Sequence, residues 1–122
     1  MASVLIVEDE PAVLKLLSRA LKEAGHEAVT ASNGNDGMKI FSERKFDVVV
    51  TDIIMSGGDG IGFIEEMLAL APETKILAIS GGGSAVEFDF LGAAAKQGAV
   101  TTLAKPFELD AFYSAMDKCL SG

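Results

Sequence analysis

Three short apolar runs in this sequence each stop at charge. Val4-Leu5-Ile6-Val7 runs into Glu8 and Asp9, Val48-Val49-Val50-Thr51 into Asp52, and Val100-Thr101-Thr102-Leu103-Ala104 into Lys105. If these runs are neighbouring buried strands, three carboxylates and one ammonium meet at one edge of a sheet. Two like unit charges ~4 Å apart repel by about 4 kcal/mol at an intermediate effective dielectric, so such a group calls for a cation. Carboxylate oxygens without His or Cys beside them suit a hard divalent ion, Mg2+ or Mn2+, with water completing the octahedron. Zinc fits poorly, because the one histidine, His26, follows Gly25 at the far end of the first helix and reads as a surface residue. A carboxylate beside a divalent cation can also attack phosphorus and form an acyl phosphate. Lys105 can then neutralise a phosphoryl oxygen as a point charge, and Ser80, closing a fourth apolar run, can donate a hydrogen bond to another.

Bringing those residues together requires parallel strands, and the apolar periodicity predicts them. Residues 3–7 read as a buried strand, followed by a helix over 10–24 with Val13, Leu14, Leu17, Leu21 and Ala24 on one face. Pro11 sits where a first helical turn tolerates proline, Glu8 to Glu10 place acid at the positive end of the helix dipole, and Gly25 ends the helix. Residues 27–31 form a weaker strand, and Asn33-Gly34 turns the chain into a helix carrying Met38, Ile40 and Phe41. A third strand over 47–51 leads through a glycine-rich loop, Met55 to Gly60, to a helix with Phe63, Ile64, Met67, Leu68 and Leu70. Pro72 breaks that pattern before a fourth strand over 75–79. Gly81-Gly82-Gly83-Ser84 then introduces a helix over 85–97, weakened by Gly92. The fifth strand, 100–104, precedes Lys105-Pro106-Phe107 and a last helix with Leu109, Phe112, Met116 and Leu120 on its apolar side. Five strands alternating with five helices imply a parallel sheet with right-handed crossovers, whose ligands sit beyond the carboxyl ends of the strands.

Composition narrows the function classes. A chain of 122 residues is one domain, with 49% hydrophobic and 23% charged residues, enough to build a core without disulfides. Cys119, the lone cysteine, sits among Met116 and Leu120 and reads as a buried or half-buried apolar residue. Met38, Phe63, Met67 and Phe112 are likewise assigned to the core. A net charge of -8 repels phosphate backbones and anionic lipid, which argues against direct nucleic-acid binding. No apolar run approaches the roughly 18 residues of a membrane span. The N-terminus carries no signal-peptide pattern, so a cytoplasmic location is expected.

The order of these residues is specific. An acidic pair after the first strand, Asp after the third, Ser after the fourth and Lys-Pro after the fifth resembles the receiver domain of bacterial two-component response regulators. Val7-Glu8-Asp9-Glu10-Pro11, Asp47 to Ile53, and Gly98-Ala99 followed by Lys105-Pro106-Phe107 match in order and spacing, so the resemblance spans essentially the whole chain, 1–122, as a single receiver domain. It implies an α/β, flavodoxin-like doubly wound three-layer sandwich: a five-stranded parallel sheet in the order 2-1-3-4-5 with five helices on its two faces. It makes Asp52 the phosphoacceptor for a sensor histidine kinase or phosphotransfer protein, with Lys105 binding the phosphate and Ser80 as the switch hydroxyl. Glu8 and Asp9 would hold Mg2+ with Asp52 and the backbone carbonyl of Ile54, and Mn2+ could substitute. The Lys105-Pro106 peptide would be cis. The implied output is protein contact rather than catalysis, through the fourth helix, fifth strand and fifth helix. It would reach a downstream partner, or an output domain if the chain is a receiver cut from a longer one.

Departures from the family pattern lie in the readout. Ser56 stands where proline is usual, Thr102 where Tyr or Phe is usual, and Gly81-Gly82-Gly83 follows Ser80, so a loop rearrangement is the expected switch. Ile54 and Gly82, two positions beyond Asp52 and Ser80, cannot orient an attacking water, so unaided dephosphorylation is expected not to be especially fast. An aspartate-nucleophile phosphatase would want a second Asp where Ile54 stands. A nucleotide- or flavin-binding domain would want a phosphate loop where Glu8-Asp9-Glu10 stands.

Overall fold

The described residues of the computed structural model are 2–52, 54–55, 58–80, 100–105 and 107–121. In chain order they form β1 (Ser3–Val7), α1 (Pro11–Glu23), β2 (Glu27–Ala31), α2 (Gly34–Glu43), β3 (Val48–Asp52), β4 (Ile54–Met55), β5 (Gly58–Asp59), α3 (Gly60–Leu70), β6 (Lys75–Ser80), β7 (Thr101–Ala104) and α4 (Leu109–Ser121). Five of the strands make one parallel sheet in the order β2-β1-β3-β6-β7, which is the expected 2-1-3-4-5 order of the main strands. The Met55 to Gly60 stretch, read from its glycines as a loop, contains a two-residue antiparallel hairpin of β4 and β5. Among the described residues there are four helices where five were expected. The expected helix over 85–97, the Gly81-Gly82-Gly83 loop, Ser56 and Pro106 with its peptide bond to Lys105 lie outside the described residues.

The sheet separates two cores because its side chains alternate between faces. Leu5, Val7, Val49, Ile76 and Ala78 pack with Phe41 of α2 and Phe63, Ile64 and Met67 of α3. Val4, Ile6, Val48, Val50, Leu77 and Ile79 pack with Leu17, Ala20 and Leu21 of α1 and Phe112, Ala115, Met116 and Cys119 of α4. Helices therefore cover both faces. Met38 is half-buried against the first core, Cys119 is buried, and Leu70 and Leu120, assigned to apolar helix faces, are exposed at helix ends. β2 forms one edge of the sheet, which explains why its apolar pattern is weaker.

Local chemistry fixes where the elements start and stop. Pro11 occupies the first turn of α1. At the other end Gly25 takes φ +91°, where Gly25 N–H donates to Lys22 O at 3.0 Å and His26 N–H to Leu21 O at 2.9 Å, a Schellman closure. His26 is not the plain surface residue its position suggested: it is half-buried, and its Nδ1 accepts the Ala2 N–H at 3.0 Å. The side chain of Asn33 caps α2 by accepting the Asp36 N–H at 2.8 Å. Asp47 ties the start of β3 to that of β1, since its N–H donates to Ser3 O and its Oδ2 accepts the Ser3 N–H, both at 2.8 Å.

Candidate functional site

Strand register is what gathers the charged residues. Val7 pairs with Thr51, so Glu8 and Asp52 leave adjacent strands at neighbouring positions. Asp52 pairs in turn with Ile79 and Ser80 with Ala104, which places Lys105 one residue beyond the end of β7 at the same edge. Ser80 closes β6 beside that strand end, and Ile54 opens β4 two residues after Asp52, paired with Asp59.

The side chains meet over Lys105. Its Nζ donates to Asp52 Oδ2 at 2.8 Å and to Glu10 Oε1 at 3.0 Å, and lies 2.9 Å from Glu8 Oε2. The last contact is an ion pair at an angle outside a directed hydrogen bond, so the buried Glu8 Oε2 has a charge partner and no donor aimed at it. Glu8 Oε1 accepts the Glu10 N–H at 3.1 Å. Exposure rises outward through the cluster: Glu8 is 1% and Asp52 4% exposed, the Lys105 side chain 14% and that of Glu10 61%.

Burial sets the electrostatics. It pushes the Glu8 carboxyl up from 4.5 to about 7, helped by the negative charge of Asp52 and opposed by Lys105 and the Glu10 N–H. Burial alone would lower the Lys105 pKa, but Asp52, Glu8 and Glu10 outweigh it and hold the ammonium charged above the ordinary lysine range.

Of the residues singled out from the sequence, Glu8, Asp52 and Lys105 come together. Oxygens of Glu8, Glu10 and Asp52 lie within 4.8 Å of one another and form a group able to hold a metal ion. Asp9 is half-buried beside it in the chain and is not one of those three. Glu10 is the member that sequence reasoning assigned only to the helix dipole; the third consecutive acid was the available signal. The all-carboxylate donor set and the buried Glu8 oxygen without a hydrogen-bond donor fit a hard divalent cation. A cavity of about 1000 Å3 opens at the other end of the sheet, among Ala2, Phe46, Thr74 and Leu120, and holds none of these groups.

The model of the response regulator receiver domain matches residues 4–117. The chain belongs to that family. Receiver domains are the phosphorylation-controlled modules of two-component signalling, and the receiver family generally binds Mg2+. The chain is 34% identical over 98% of its length to the transcriptional regulatory protein GlrR of Escherichia coli, spanning 26% of that protein. It is 37% identical over 93% of its length to the probable chemotaxis protein CheY of Rhizobium etli, spanning 88% of it. A receiver domain protein of Clostridium thermocellum superposes with a TM-score of 0.90 at 28% identity, covering 99% of this chain and 95% of that one. The receiver fold thus accounts for the sheet order and for the edge where the charges meet. No described helix is long and apolar enough to cross a membrane.

Proposed function

We propose that Asp52 is the phosphoacceptor of this receiver domain, with Lys105 as the phosphate-binding cation and Ser80 as the switch hydroxyl. The observation that carries the reading is the 2.8 Å bond from Lys105 to a nearly buried Asp52 carboxylate at the C-terminal edge of three parallel strands. In the transfer step an Asp52 oxygen attacks the phosphorus of a phosphohistidine on a sensor histidine kinase or phosphotransfer protein. The P–O bond forms as the P–N bond breaks, and the departing imidazole takes its proton from solvent. Lys105 follows the charge outward from the carboxylate to the phosphoryl oxygens.

Glu8, Asp9 and Asp52, with the Ile54 backbone carbonyl, would hold Mg2+, and Mn2+ would serve in its place. When bound, the ion offsets the negative charge that the carboxylates and phosphoryl oxygens bring together. The module is a phosphorylation switch rather than an enzyme, it acts in the cytoplasm, and its output is contact with a downstream protein or an output domain. The matched transcriptional regulator extends well beyond the part this chain spans, which fits the second form of output, while the matched chemotaxis protein is spanned over 88% of its length, which fits the first.

Incubation with acetyl phosphate, with and without Mg2+, followed by intact mass tests the assignment. A gain of one phosphoryl group that needs Mg2+ and is lost in Asp52→Ala is the expected result. No gain under any condition overturns it.

A further inference from the structure

The bond between Lys105 and Glu10 has no part in the assignment above, and it joins the two most exposed side chains of the cluster. Glu8 and Asp52 are buried, the Lys105 side chain is mostly covered, and the Glu10 side chain is the outermost of the four. Glu10 carries a carboxylate oxygen within 4.8 Å of one of Asp52 and is largely open to solvent. We propose that Glu10 is a positioning residue that latches Lys105 over the Asp52 carboxylate and slows entry of an anionic phosphoryl donor. This rests on Asp52 being the phosphoacceptor.

Donor counting gives the direction. An ammonium has three N–H donors. Lys105 makes directed bonds to Asp52 and Glu10 and an ion pair at 2.9 Å with Glu8, so its three donors are taken up by three carboxylates. An incoming phosphoryl group brings oxygens that need the same ammonium, so one partner must let go. Glu8 and Asp52 are buried and lose most by parting from their cation, whereas water can solvate the released Glu10. Until it is released, the Glu10 carboxylate also repels the donor. Both effects make Glu10 a brake. The Glu10 N–H that donates to Glu8 belongs to the backbone, so side-chain substitution leaves that bond in place.

Glu10→Gln keeps the shape and removes the charge, while Glu10→Asp keeps the charge and is one methylene too short to reach Lys105. At saturating Mg2+ both variants are expected to take phosphate from acetyl phosphate about two- to fivefold faster than the unmodified chain, the range that an exposed ion pair allows. Raising salt to about 1 M should close the gap, because such a pair is screened. In metal-free protein without donor, the Lys105 15Nζ resonance should move in both variants. Equal rates in all three proteins, slower variants, or an unmoved Lys105 resonance overturn the latch. Acceleration by Gln alone also overturns it, leaving simple repulsion. Failure of the unmodified chain to be phosphorylated at Asp52 overturns the underlying assignment and the latch with it, a result distinct from equal rates in phosphorylated proteins.

Discussion

Replacing Glu8 by Gln removes the most deeply buried charge of the site while keeping an oxygen that can accept the Glu10 N–H. The folded-state pKa of Glu8 is raised from 4.5 to about 7, so between those values the folded chain holds a proton that the unfolded chain has released. Stability due to this group is therefore complete below pH 4.5 and is lost as pH rises through 7. At 1.36 kcal/mol per unit the full loss is on the order of 3 kcal/mol, and Glu8, 1% exposed, needs little discount for solvent. Glu8→Gln resembles the protonated acid at every pH. Urea unfolding in EDTA should show the two proteins nearly equal at pH 4.5 to 5, with the variant more stable by about 2 to 3 kcal/mol at pH 8. For a domain of this size the difference corresponds to roughly 10 °C in melting temperature. Parallel stability curves from pH 5 to 8, or a wild-type protein that gains on the variant as pH rises, would refute the reasoning.

Lys105→Met leaves three carboxylates without their ammonium and should cost about 2 to 3 kcal/mol in EDTA at pH 8, somewhat below the range for a fully buried pair. Added Mg2+ should recover part of that loss in the same unfolding assay, and no loss in EDTA would contradict the charge balance described here. Gly37→Ala tests packing against propensity: alanine favours a helix by about 1 kcal/mol, but its Cβ would lie 2.8 Å from Val7 Cγ2 and 3.2 Å from Phe63 Cζ. Val7 is buried in β1 and stiff at its branch point, so a net loss of about 1 to 2 kcal/mol is expected on thermal unfolding, and a gain would refute it.

The sheet was legible because its strands are short apolar runs that end abruptly in charge. The same ends marked Glu8, Asp52 and Lys105, since a residue just past a buried parallel strand emerges at the edge where neighbours also emerge. Glu10 was harder to see. Its position at the start of α1 suggests a dipole role, and only the reach of Lys105 from β7, 95 residues away, recruits it. His26 was misread for a similar reason: periodicity describes helix faces, while its partner Ala2 comes from a distant part of the chain. The β4–β5 hairpin is two residues long on each strand, too short for any alternation to register.

Lys105 gives the acidic edge a cation that cannot diffuse away. Some small domains have no stable fold without the ion they bind and stay unfolded until metal arrives. Here the chain brings its own ammonium, bonded to Asp52 at 2.8 Å, so a newly made copy can complete its sheet before it has met any ion. On the function proposed above, metal loading becomes an event in the life of a folded protein, and the ion's supply sets when the domain can respond, not whether it forms.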